Sequence, residues 1–131
     1  TSKKEFSLNL EQDLNSKKIY KSIEIVYGLR NFIGNANKFS KSKVFINLKS
    51  DNNFTEITIE DDGDGYPSDI LSKIGEPYLK STDKNSGLGL GLFIGKTLLE
   101  KNFATVNCWN SQTRSGAEVT IKWKNKDLFN L

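Results

Sequence analysis

Apolar and polar residues alternate along Glu5-Phe6-Ser7-Leu8-Asn9-Leu10, the period of a strand covered on one face. The rhythm then lengthens. Over residues 17–40, Ile25, Leu29, Phe32, Ala36 and Phe39 recur at spacings of three and four, which sets them on one stripe of a helix. Two alternating runs follow, 43–50 and 54–61, joined through Asp51-Asn52-Asn53 as a hairpin. Residues 67–74 read as a short helix opened by Pro67, and 76–87 are polar and aperiodic, the pattern of a mobile loop. Three alternating glycines then lead into an apolar helix that runs to about Asn102. Strand-like runs 104–111 and 116–123 close the pattern. The elements predict an α+β fold: a two-layer α/β sandwich, with a mixed sheet and its helices packed on one face.

Composition narrows this picture. A chain of 131 residues, 36% hydrophobic and 27% charged, is the size of one domain with a single core. Its apolar runs are far shorter than the roughly 20 residues that span a bilayer, so the expectation is a domain with no membrane contact of its own. No methionine is present, as expected of a piece of a longer protein. The 19 basic residues outnumber 16 acidic ones, but they are spread along the chain instead of being gathered on one segment. That distribution argues against a nucleic-acid partner. Cys108, alone, can form neither an internal disulfide nor a zinc cage, and reads as a packing residue. The absence of histidine excludes every catalytic triad or dyad that needs one.

Three stretches carry candidate chemistry. The first, Gly87-Leu88-Gly89-Leu90-Gly91-Leu92-Phe93-Ile94-Gly95-Lys96-Thr97, ends like a phosphate-binding P-loop. The spacing fails, because the glycine required five positions before Gly95 is Leu90, and the context fails, because a polar loop precedes it instead of a strand. Lys96 is then a helix residue on the solvent face. What remains is that Gly87, Gly89 and Gly91 lie just ahead of a helix, where free N–H groups favour an anion. Tight packing of the helix explains alternating glycines equally well.

The second stretch, Glu60-Asp61-Asp62-Gly63-Asp64-Gly65-Tyr66-Pro67, ends a strand. Its glycines let a flat ring approach the backbone, and an adjacent carboxylate accepts a hydrogen bond from an exocyclic amine such as that of adenine. A plain turn remains open. A calcium loop does not fit, since Tyr66 and Lys73 stand where oxygen ligands are needed. The third stretch sets Asn31, Asn35 and Lys38 within about 60° on the long helix. An amide oxygen suits Mg²⁺ and a lysine suits phosphate. In a chain with 14 asparagines, a solvated polar face is the alternative.

Taken in order, the asparagine-bearing helix, Asp61-Asp62-Gly63-Asp64-Gly65, Gly75-Glu76-Pro77-Tyr78 and Gly87-Leu88-Gly89-Leu90-Gly91-Leu92-Phe93-Ile94 resemble the N, first glycine, F and second glycine boxes of the ATP-binding domain of sensor histidine kinases. That domain has the Bergerat fold, shared with gyrase, heat-shock chaperone ATPases and MutL. The stretch from Ile74 to Thr82 together with the glycine run is most similar to the redox-responsive RegB/PrrB type. The resemblance covers residues 6–124, leaving 1–5 as linker and 125–131 as a C-terminal tail.

The resemblance implies ATP and Mg²⁺ as ligands. It makes Asn35 the Mg²⁺ ligand, places Asn31 beside it near the phosphates, sets Lys38 on them, and lays Phe39 against the nucleotide. Asp61 accepts the adenine amine, Gly63 and Gly65 admit the purine, and Gly87, Leu88, Gly89, Leu90 and Gly91 line the phosphate side. Residues 76–86 form the lid, with Tyr78 at an aromatic position of the F box. Gly75 departs from the leading phenylalanine of that box, and Asp64 from a position usually uncharged. Catalysis then rests on Asn31, Asn35 and Lys38.

Hydrolytic members of that superfamily carry a water-activating glutamate four residues before the magnesium asparagine; here Asn31 stands there. An amide is no base, so hydrolysis is expected to be slow. A neutral histidine attacks with its own lone pair and needs only alignment and charge stabilisation. The implied acceptor is therefore a histidine on a separate dimerisation domain, which in turn passes the phosphoryl group to a response regulator. The implied location is the cytoplasmic part of an inner-membrane sensor kinase. A serine kinase of the anti-sigma-factor type, or a non-catalytic nucleotide-binding module, are the alternatives.

Overall fold

The computed structural model describes residues 4–10, 23–72, 86–113 and 115–129. Among these residues five strands form one sheet: β1 (Glu5–Leu10), β2 (Lys43–Ser50), β3 (Phe54–Asp61), β4 (Thr105–Asn110) and β5 (Ala117–Lys124). Their order is β1-β2-β3-β5-β4. Only β1 and β2 run parallel, with Phe6 opposite Val44; the other pairs are antiparallel. The sheet is mixed, as the alternating patterns predict.

Two long helices, α1 (Ile23–Phe39) and α3 (Ser86–Lys101), pack on one another and on the sheet. The buried members of α1 are Ile25, Gly28, Leu29, Phe32 and Ala36, the predicted stripe, whereas Phe39 at its end is exposed. Residues 17–22 of the expected helix lie outside the described residues, as does the loop 76–85 with Tyr78. On β3 the alternation runs Thr55, Ile57, Ile59, Asp61, and on β5 Ala117, Val119, Ile121, Trp123, all buried beneath the helices. Burying these side chains at about 25 cal/mol per Å² is the main source of stability.

Three boundaries differ from the sequence expectation. Helix α3 begins at Ser86, so Gly87, Gly89 and Gly91 do not precede it but occupy its first two turns. The cost of glycine there, about 1 kcal/mol each, is offset by Leu88, Leu92 and Leu99, which all reach the core. The second helix, α2 (Ser68–Leu71), is shorter than expected, with Ile70 buried and Pro67 just before it. The stretch expected as a tail contains α4 (Asn125–Leu128), and Leu128 joins the core.

Helix α4 is tied down by polar contacts. Thr55 Oγ1 donates to Asn125 Oδ1 at 2.7 Å, and Asn125 Nδ2 donates to Asp51 O at 2.7 Å. At the other end of the chain, Lys4 Nζ donates to the carbonyls of Asn37 and Ser40 at 2.8 and 2.6 Å. A cation there complements the C-terminal end of α1. Among the described residues no helix is long and apolar enough to cross a membrane.

Candidate functional site

Strand β3 ends on a charge that faces the core. Asp61 is only 4% exposed, because it follows Ile57 and Ile59 on the buried side of the strand. Its Oδ1 accepts from the N–H of Gly63 at 2.8 Å and from that of Ala117 at 3.3 Å. Among the described residues no donor reaches Oδ2. Burial pushes the carboxyl pKa up, and the two backbone hydrogen bonds offset this only in part. Such a group has one oxygen satisfied by the fold and one left for a donor brought from outside.

Two glycines let the backbone close around it. A Cβ on Gly63 would lie 2.2 Å from the carbonyl oxygen of Phe39, and one on Gly116 would lie 1.8 Å from that of Asp61. No side chain fits at either position. Asp62, next in sequence, points away and caps the start of β2. Its Oδ1 accepts from the N–H groups of Lys41, Ser42 and Lys43, and its Oδ2 from Ser42 Oγ. Burial alone would raise its pKa; these hydrogen bonds outweigh burial and hold the carboxyl well below the usual range.

Asp61 lies at one side of a cavity of roughly 220 Å³. The walls are Phe32 and Ala36 of α1, Ile59 of β3, Val119 of β5 and Leu88 of α3, with Tyr66 and Pro67 on the loop after β3. This is a cavity with largely apolar walls and a carboxylate among them, which suits a planar ring that bears an amine. Phe39 stands at its edge, partly exposed, with Lys38 Nζ 5.3 Å from the ring centroid.

Asn35 lines the same cavity from α1, and its Nδ2 is buried with no hydrogen-bond partner among the described residues. A buried donor without an acceptor costs roughly 1–3 kcal/mol. The position is possible because Gly91 faces it: a Cβ there would sit 3.1 Å from that nitrogen. The glycine run therefore does pack a helix closely, and it packs it against the site. The N–H groups of Ser86 to Gly89 belong to the first turn of α3 and have no intrahelical acceptor.

Of the residues singled out by sequence, Asn35, Phe39, Asp61, Gly65 and Leu88 meet at this cavity, with Gly63 and Gly91 shaping it. Gly87 and Gly89 lie in the adjoining turn of α3, and Leu90 projects from it, about half exposed. Asn31 and Lys38 do not line the cavity: Asn31 Nδ2 donates to Tyr27 O at 2.9 Å, and Lys38 is exposed. Lys96 lies in α3 and pairs with Glu100, one turn on. Asp64 reaches the cavity edge and pairs with Lys41 at 3.4 Å. Cys108 packs against the core, and burial pushes its thiol up to about 12. The sequence offered no signal for Gly116 or Ala117, whose parts depend on strands far apart in the chain.

Residues 21–127 match the family model described as "Histidine kinase-, DNA gyrase B-, and HSP90-like ATPase". The sensor histidine kinase RegB of Cereibacter sphaeroides is 36% identical in an alignment that covers 76% of this chain and 26% of RegB. The chain thus spans about a quarter of that curated relative. Among solved structures, a mycobacterial sensor histidine kinase, MprB, aligns with a TM-score of 0.66 at 22% identity, over 92% of this chain and 82% of that one. Full-length ShkA in complex with AMPPNP aligns with a TM-score of 0.69 at 22% identity, over 91% of this chain and 25% of that one. At these identities the structures show a shared fold.

Proposed function

The chain belongs to the histidine kinase-, DNA gyrase B- and HSP90-like ATPase family, as the ATP-binding catalytic domain of a sensor histidine kinase, and from that premise we propose that it transfers the γ-phosphoryl group of ATP to a histidine on a separate dimerisation domain. The observation that carries this reading is the pairing of Asp61, a buried carboxylate whose Oδ2 meets no donor among the described residues, with the Asn35 Nδ2 that meets no acceptor among them, in the same cavity.

Adenine enters the slot between the apolar walls and donates its amine to Asp61 Oδ2. Guanine carries a carbonyl at that position and would face the carboxylate lone pair to lone pair. Gly63 and Gly65 admit the ring. The phosphates run toward the first turn of α3, where the N–H groups of Gly87, Leu88 and Gly89 have no intrahelical acceptor and the helix dipole favours an anion. Leu90 and Gly91 continue that side, and Tyr78 belongs to the lid.

Mg²⁺ fits the donor set. Among the described residues no three His, Cys, Asp or Glu side chains converge, so such a cation would take phosphate and water oxygens together with one amide oxygen, that of Asn35. Bound there, it would neutralise phosphate charge. Asn35 Nδ2 donates to a phosphate oxygen, Lys38 swings from the Phe39 ring to add a point charge, and Asn31 lies beside them without acting as a base. The histidine nitrogen contributes its lone pair to the new N–P bond while the bond from the γ-phosphorus to the bridging oxygen breaks, and ADP leaves. The phosphoryl group then passes to a response regulator. The domain works on the cytoplasmic side of an inner-membrane kinase and needs no nucleic acid.

The test supplies the histidine-bearing helical domain together with labelled ATP. Acid-labile phosphate should appear on that domain. Acid-stable phosphate on it, or none while phosphate is released to water, overturns the reading.

A further inference from the structure

The loop that walls the adenine side of the cavity has no strand to lean on. Pairing of β3 with β5 ends at Glu60 opposite Glu118, and pairing of β4 with β5 ends at Asn110 opposite Ala117. Residues 63–67 run past both ends, yet Gly65, Tyr66 and Pro67 line the cavity. Something must hold their backbone.

We propose that Asn110, on β4, is the positioning residue that fixes this wall and thereby sets the preference of the site for adenine. Its side-chain amide takes the place of a missing strand. Oδ1 accepts from the N–H of Tyr66 at 2.6 Å, and Nδ2 donates to the carbonyl oxygen of the same residue at 3.3 Å. One residue is thus held through both its backbone N–H and its carbonyl, as it would be in a ladder. Asn110 does not line the cavity; it acts through Tyr66.

The fit between loop and amide leaves no slack. Gly65 has a φ of 84°, and a Cβ there would lie 2.7 Å from Asn110 Oδ1. The loop therefore rests directly on the amide, in a conformation other residues rarely adopt. Its near end is fastened independently: Gly63 N–H donates to Asp61 Oδ1, and Ser115 Oγ donates to Gly63 O at 3.2 Å. The far end is tied to α2, where Pro67 O accepts from the N–H groups of Ile70 and Leu71, so between these two anchors Asn110 is the side chain that sets how far the Tyr66 backbone stands from the opposite wall at Ile59 and Val119. That width decides whether a ring is clamped with its amine on Asp61 or held loosely.

This inference rests on the adenine reading of the cavity, and the experiment separates the two. Affinities for ATP and GTP would be measured by calorimetry on the unaltered protein, on Asn110→Ala and on Asp61→Asn, well below the melting temperature so that all are folded. The unaltered protein should prefer ATP. Asn110→Ala should weaken ATP by about tenfold, from two lost hydrogen bonds, and GTP much less, so that the ATP-to-GTP ratio collapses. A ratio equal to that of the unaltered protein, or an equal loss for both nucleotides, overturns the proposal and leaves Asn110 a structural residue. No preference for ATP in the unaltered protein overturns the adenine reading itself. If Asn110→Ala does not fold, Asn110→Asp keeps the acceptor for Tyr66 N–H and loses the donor, and its ratio must still fall.

Discussion

Asp61 and Asp62 are neighbours with opposite electrostatics, and the sheet is the reason. Side chains alternate across a strand, so Asp61 enters the core while Asp62 turns to the start of β2. The raised pKa of Asp61 means that ATP binding, if its carboxylate accepts the amine, should begin to fail on acidification at a pH above the ordinary aspartate value of 3.8. Calorimetry across that range checks this, and Asp61→Asn at neutral pH should weaken ATP by about 1.5–3 kcal/mol, the range for a hydrogen bond to a charged group. Asp62 has the opposite sign. Its folded pKa is depressed, so its contribution to stability is present in full above 3.8 and is lost as pH falls through the folded value. Asp62→Asn should cost roughly 1 kcal/mol in urea melts at pH 7, and less as the pH is lowered past that point.

At the scale of elements, the contact between α1 and α3 decides how the site is built. Gly91 leaves the space that Asn35 occupies. Gly91→Ala improves helix propensity by about 1 kcal/mol, yet its methyl group would press on the amide nitrogen. The expected outcome is an unchanged or higher melting temperature with weaker Mg²⁺-ATP binding and slower phosphoryl transfer. A parallel loss of stability and binding would mean that Gly91 serves the core alone. Asn35→Ala should behave alike, sparing stability because it removes a buried donor that has no acceptor among the described residues. Melts and transfer rates on the same sample decide both.

At the scale of the whole molecule, the missing histidine sets the outcome. Incubated alone with labelled ATP, the domain should stay unlabelled and release phosphate slowly, since Asn31 offers no base. Added histidine-bearing domain should be labelled in trans, more weakly than when tethered, because a linker supplies an effective concentration that free mixing lacks. Rapid hydrolysis by the purified domain would shift the assignment to the hydrolytic branch of the family.

Local periodicity is enough to write strands 43–50 and 54–61 and the buried stripe of α1, because which side of an element is apolar is a property of consecutive residues. The order of the glycine and asparagine motifs likewise points to the family without any coordinates. The start of α3 was not legible: glycines lower helix propensity, and only packing of Leu88 and Leu92 against the core overrides them. Nor was it legible which strands would pair in parallel, β1 with β2, or that β5 would insert between β3 and β4, since strand order is set by which faces meet after folding. The same holds at the site. Ala117 N–H reaches Asp61 across 56 positions in sequence, and Asn110 reaches Tyr66 across 44. Residue types fixed what chemistry is available here. Only the closing of β4 and β5 beside β3 decided which backbone groups meet those carboxyl and amide atoms, because a hydrogen bond depends on distance in space and carries no trace in local pattern.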